Sequence, residues 1–153
     1  MRTEDRLLVR APAPRMFEAA ADVEQWPARL AHYRWVRFNG RRTGGGVVEM
    51  AAVRPFGPLA WPVWWESEMW IDPARREVRY RHIRGITAGM DVLWSIEARG
   101  KETEVTIVHD WNGPKWPLIG VPAAEWVIGP VFVHGIASRT LAGLARAVEA
   151  AHD

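Results

Sequence analysis

From Tyr33 to Trp111 the chain is a succession of six alternating segments joined by very short connections, and this constrains the fold more than anything else in the sequence. Residues 33–39, 46–54, 62–72, 76–84, 89–98 and 103–111 read as strands. The breaks are Gly40-Arg41-Arg42-Thr43-Gly44-Gly45, Phe56-Gly57-Pro58, Asp72-Pro73-Ala74, Gly85-Ile86-Thr87 and Arg99-Gly100-Lys101. Connections this short join antiparallel neighbours, whereas parallel strands need crossovers of a dozen or more residues. An antiparallel sheet is expected. Ahead of it come a short strand at 6–10, a helix from Pro14 to Ala21 with proline in its first turn, and a second short helix from Val23 to Ala31 capped by Asp22. After it, residues 126–151 carry Val133, Ile136, Ala137, Thr140, Leu141, Leu144 and Val148 on one stripe, the pattern of an amphipathic helix. Gly129-Pro130 interrupts that helix or marks its start. The order β-α-α-β6-α is that of an α+β chain.

Alternate side chains of a strand share a face. Trp65, Ser67, Met69 and Ile71 oppose Trp64, Glu66, Glu68 and Trp70, and the two glutamates mark the second face as solvated. By the same rule Val78, Tyr80 and His82 point inward, as do Met90, Val92, Trp94 and Ile96, and then Val105, Ile107, His109 and Trp111. In the strand at 46–54 the preferred inward set is Val48, Met50, Ala52 and Arg54. The inward face is thus apolar and aromatic, interrupted by Ser67, Tyr80, His82 and His109. Buried polar groups need partners. Two explanations stand: these groups orient a ligand in a cavity, or they lie near strand ends and bond to backbone or water.

Composition narrows the field. The 153 residues fit one domain, 1–153, and 48% hydrophobic with 25% charged residues excludes intrinsic disorder. With no cysteine there is no disulfide, zinc ribbon or thiolate nucleophile. The charged start, Met1-Arg2-Thr3-Glu4-Asp5-Arg6, lacks an apolar signal core, which predicts a cytoplasmic protein. Arginines are interspersed with acids, so nucleic acid is not an expected partner. No metal is expected, for His82 and His109 lack a third ligand at metal spacing. Ser67 and Ser95 lack a Gly-x-Ser-x-Gly elbow, and Thr43-Gly44-Gly45-Gly46 lacks the lysine of a phosphate loop. The stretch 116–133, with Glu125 as its only charge, is long enough to span a membrane. Its prolines at 117, 122 and 130 argue against that, and leave a lid over a pocket mouth, a membrane-touching loop, or a homodimer contact. Ten tryptophans exceed what one core of this size needs. Trp65 and Trp94 are candidates for pocket walls, with plain core as the alternative.

Several stretches together resemble the START-like (birch-allergen-like) polyketide cyclase/dehydrase superfamily. They are Val9-Arg10-Ala11-Pro12-Ala13-Pro14 with Phe17, Asp22-Val23-Glu24-Gln25-Trp26-Pro27, Tyr33, Asp72-Pro73, Trp94, Glu97, Asp110 and the run from Ile128-Gly129-Pro130 to Glu149. The resemblance covers nearly the whole chain. It implies a helix-grip fold, with a curved seven-stranded antiparallel sheet wrapped around a long C-terminal helix and an internal pocket. Within the superfamily the chain is most similar to bacterial aromatic polyketide aromatase/cyclases. Those act on a poly-β-ketone carried by an acyl carrier protein, a candidate partner here, and need no cofactor. The reaction they imply is proton removal between carbonyls, aldol closure and loss of water. A tyrosine and an arginine commonly hold the oxygens; the tyrosine matches Tyr33, and the arginine position holds Met69. Methionine neither donates a hydrogen bond nor carries charge, so Arg54, His82 or His109 replaces the arginine, or the chain is a non-catalytic carrier of a lipid, quinone or isoprenoid. On the cyclase reading Tyr33 polarises a carbonyl and His109 or His82 shuttles protons, while Trp65, Ser67, Met69, Tyr80, Trp94, Trp111 and Arg54 contact the substrate.

Overall fold

The structure, a computed structural model, describes residues 1–56, 58–114 and 133–152. Strand β1 (Arg2–Val9) leads into helix α1 (Ala13–Ala21), a single 3-10 turn (Val23–Gln25) and the one-turn helix α2 (Trp26–Arg29). Strands β2 (Tyr33–Arg42), β3 (Gly45–Phe56), β4 (Leu59–Asp72), β5 (Glu77–Gly85), β6 (Asp91–Arg99) and β7 (Glu102–Asp110) follow, and helix α3 (His134–His152) ends the chain. The seven strands form one curved antiparallel sheet in the order β1-β7-β6-β5-β4-β3-β2. The expected helix-grip arrangement is therefore present. No helix among the described residues is long and apolar enough to cross a membrane. The stretch 116–132 and the helical start proposed at 126 lie outside the described residues.

Two boundaries differ from expectation. β1 begins at Arg2 rather than residue 6, because its charges alternate outward while Asp5 and Val9 are buried. The helix expected over 23–31 is a 3-10 turn and one α-turn, ending as Leu30 turns extended; the Leu30 amide bonds back to the Trp26 carbonyl.

The inward sets follow the period-two reading. Val48, Met50, Ala52, Met69, Val78, Val92, Trp94, Ile96, Val105 and Ile107 are all buried in one cluster with Met16, Ala20 and Val23 of the α1 region and Leu141, Leu144 and Val148 of α3. α1 packs across β5, β6 and β7, so its side chains fill one half of the concave face.

The outer face is not uniformly wet. Glu49 and Glu66 are directly opposed in the β3–β4 register and both are buried, an arrangement of like charges that costs stability unless bridged. The Asn39 amide supplies the bridge, donating to Glu49 at 2.5 Å and to Glu66 at 2.8 Å. Arg37 donates to Glu49 at 2.9 Å, and Arg84 lies 3.9 Å from Glu66. Burial pushes the Glu49 carboxyl up, but the bonds from Asn39 and Arg37 outweigh it and hold the group below its usual range.

At the far end of β5 a register shift opposite Glu66/Ser67 leads into Gly85 at φ +104°. A Cβ there would sit 2.6 Å from the Trp64 carbonyl oxygen. Both the backbone angle and the approach demand glycine. Gly85→Ala is expected to lower unfolding free energy by about 2 kcal/mol, the scale of a strained backbone residue. Urea denaturation measures this, and a loss below about 0.5 kcal/mol, within the range of neutral surface changes, would show that the turn relaxes without penalty.

Candidate functional site

The half of the concave face that α1 does not fill is left as a cavity between β3–β7, α2 and the first turns of α3. It offers about 90 Å³ to the centres of water molecules, and the whole void, open mouth included, is about 710 Å³. At roughly 10–15 Å³ per water in that measure, the closed part holds several waters or one slender or flat molecule. A wider depression between α1 and the end of α3 is walled by Arg15, Glu18, Asp22 and Arg29 and gathers none of the inward polar residues.

One wall of the cavity is continuous aromatic surface. Trp26 and Trp94 lie with ring centres 5.6 Å apart. Trp26 meets Tyr33 edge-on at 5.2 Å, and Tyr33 meets Trp65 edge-on at 6.1 Å. Trp65 is stacked on His82 at 5.9 Å with the planes 4° apart. The Trp26 indole is fixed by donating to the Ala19 carbonyl at 3.0 Å. Met50, Met90, Val92 and Ile107 complete the sheet side, and Val133, Ile136, Ala137 and Thr140 the helix side.

Six of the residues expected at a site line this space: Tyr33, Trp65, Tyr80, His82, Trp94 and His109. Four do not. Ser67 and Met69 are fully buried in β4 and are not part of the cavity lining. Trp111 is buried with its indole donating to the Ala88 carbonyl at 3.1 Å, which ties the end of β7 to the β5–β6 loop outside the lining. Arg54 lies along the first turn of α3, so close that a Cβ on Gly135 would be 2.3 Å from its Nε. It therefore secures the β3–β4 hairpin to the helix.

Tyr33 stands beside a polar pair that joins α3 to the start of β2. The Thr140 hydroxyl gives its proton to the Ile136 carbonyl at 2.8 Å and lies 2.9 Å from His32 Nε2. With its one proton used, Thr140 can only accept from His32, so the neutral His32 donates through Nε2–H. Burial holds the Tyr33 phenol well above its ordinary range, and burial, reinforced by Arg139, lowers His32 to about 4. Sequence reasoning missed His32 and Thr140 because a polar residue on a helix stripe and a histidine before a strand carry no mark of their pairing.

Tyr80 and His109 have unused polar atoms. The Tyr80 hydroxyl and His109 Nδ1 are enclosed and unpartnered. His82 is held by Thr87, with Nδ1 2.6 Å from its hydroxyl oxygen. Burial pushes Tyr80 further from ionisation, lowers His82 to about 3 with help from His109, and lowers His109 to about 4 with help from His134. Both rings are thus neutral at pH 7. Among the described residues the lining holds no Arg, Lys, Asp or Glu.

No protein-family model matches the chain, and no curated protein does. Solved structures do. The protein TTHA0849 from Thermus thermophilus is 19% identical over 100% of both chains, with a TM-score of 0.82. The Zhui aromatase/cyclase from Streptomyces sp. R1128 is 22% identical over 96% of this chain and 93% of its own, with a TM-score of 0.76. A START superfamily protein from Mycobacterium smegmatis is 19% identical over 99% and 96%, with a TM-score of 0.68. At these identities the likeness establishes the fold, which is the START-like helix grip.

The depressed histidines make stability depend on pH. Below the unfolded value of 6.5, the unfolded chain takes up protons that folded His82 and His109 refuse until about 3 and 4. The folded state is therefore fully favoured above pH 6.5 and loses stability as pH falls through that window, by up to about 1.4 kcal/mol per pH unit for each ring. Urea midpoints between pH 7 and pH 5 should fall, and the His82→Asn/His109→Asn double variant should flatten the slope. An equally steep double variant would contradict the assignment.

Proposed function

We propose that this protein binds a neutral, largely flat hydrophobic small molecule in the cavity and acts on it as a polyketide cyclase/dehydratase, closing a ring by aldol addition and removing water from a poly-β-ketone. The single observation that carries this reading is the Tyr80 hydroxyl, enclosed and without a partner, beside the His109 ring in an otherwise apolar aromatic cavity. Such a cavity favours a planar conjugated guest, and those two groups can meet its oxygens.

The chemistry asks for a donor on the oxygen of a forming enolate and a weak acid/base near neutral pH. Tyr80 serves as the donor. His109 and His82 are neutral rings able to exchange protons. Tyr33 lines the same cavity, keeps the aromatic wall in place, and is a second candidate donor. The fold's likeness to the Zhui aromatase/cyclase supports the same reaction class, and an acyl carrier protein is the partner that would deliver a tethered chain.

A second reading, a non-catalytic carrier of a neutral quinone or isoprenoid alcohol, is favoured by Met69. The position where aromatase/cyclases carry an arginine is here a fully buried apolar residue outside the cavity lining. The two readings separate in one experiment. Protein purified without denaturation is examined by native mass spectrometry and then given a carrier-bound poly-β-ketone. The cyclase reading expects cyclised, dehydrated product, with His109→Asn slowing its formation by about 10²–10⁴-fold, the usual weight of a proton-transferring group. A co-purifying neutral lipid together with no turnover would replace it with the carrier.

A further inference from the structure

Three of the buried polar atoms without partners fall on one patch: Thr3 Oγ1, Asp5 Oδ2 and His109 Nδ1. Thr3 is the direct register partner of His109 across the β1–β7 ladder, and Asp5, two residues along the same face, pairs with Ile107. Opposed side chains in such a ladder lie about 5 Å apart at Cβ. Thr3 and Asp5 therefore sit beside His109 on the inward face of the ladder. Asp5 is oriented by its other oxygen, which accepts from His134 Nδ1 at 2.6 Å at the start of α3. The Asp5 side chain is only 5% exposed, whereas that of His134 is 57% exposed.

Donor and acceptor capacities on this patch match one occupant. A carboxylate oxygen only accepts, a hydroxyl can donate, and a neutral imidazole nitrogen does either. A single water accepting from Thr3 and donating to Asp5 Oδ2 and to His109 Nδ1 satisfies all three atoms at once, and buried waters typically make about three such bonds. We propose that Thr3 and Asp5 hold a structural water that fixes His109 as the Nε2–H tautomer, so that this ring meets its ligand as a hydrogen-bond donor. Thr3 and Asp5 are then positioning residues, acting through His109. The consequence is a preference for ligands that present a carbonyl oxygen to this end of the cavity.

This rests on the reading of His109 as a ligand-facing ring, yet its test uses ligand-free protein and so fails or succeeds independently of any turnover. Long-range proton–nitrogen NMR on ¹⁵N-histidine-labelled protein at pH 7 distinguishes a pyridine-like nitrogen from an N–H nitrogen. In the wild type the His109 Nδ1 resonance is expected to be pyridine-like. Thr3→Val and Asp5→Asn, both close in shape to the native residues, should each shift it toward an averaged or Nδ1–H position while His82 keeps its own resonances. A purely structural Thr3 and Asp5 would leave the tautomer unmoved. The proposal is overturned if wild-type His109 carries its proton on Nδ1 or is doubly protonated, or if both folded variants keep the wild-type signature.

Discussion

Everything in this molecule depends on how much of a concave sheet its own helices can cover. Seven antiparallel strands bend into a trough, and α3 closes it along most of its length through Leu141, Leu144 and Val148. α1 adds a second plug, but across β5, β6 and β7 only. Interiors pack at crystal-like density where side chains can reach, so the plugged half becomes core. The other half keeps a cavity because Trp26, Tyr33, Trp65 and Trp94 are rigid and brace one another, edge to face at Tyr33 and tilted between Trp26 and Trp94, instead of collapsing inward.

Polar pairing then sorts the residues of the trough. Several polar groups that serve the fold are bonded: His32 Nε2 lies 2.9 Å from the Thr140 hydroxyl, His82 holds Thr87, and Thr103 donates to the Ala11 carbonyl at 2.6 Å. Where the cavity begins, Tyr80 and His109 have atoms to spare. An enclosed hydroxyl without a partner costs about 1–3 kcal/mol. Thr3, Asp5 and Ser67 carry such atoms too, so what sets Tyr80 apart is that its free hydroxyl belongs to a residue lining the cavity, and the proposed function follows from that placement more than from the likeness of fold.

The strand pattern was legible because period two survives the sheet's curvature: the inward faces from Val48 to His109 are those that alternation predicts. What alternation cannot say is which inward residues face space and which face other side chains. Ser67 and Met69 share a face with Trp65, yet only Trp65 meets the cavity, a division that depends on what packs over each stretch of the strand and not on the strand's own pattern. Long-range pairings were equally hidden. Glu66 read as a solvated residue because its partners, Asn39 and Glu49, come from two other strands, and Arg54 read as a pocket cation although it lies against Gly135.

The central claim is that Tyr80 holds its hydroxyl in readiness for a guest, and Tyr80→Phe tests it most directly, because deletion of one oxygen leaves the ring in place. Unfolding free energy of the empty variant and its affinity for a neutral hydroxyanthraquinone are measured side by side. The account expects the variant to be as stable as the wild type or about 1 kcal/mol more so, while affinity falls about tenfold, equivalent to about 1.4 kcal/mol. A less stable variant that binds the anthraquinone as well as the wild type would make Tyr80 an ordinary core residue and the cavity a packing defect.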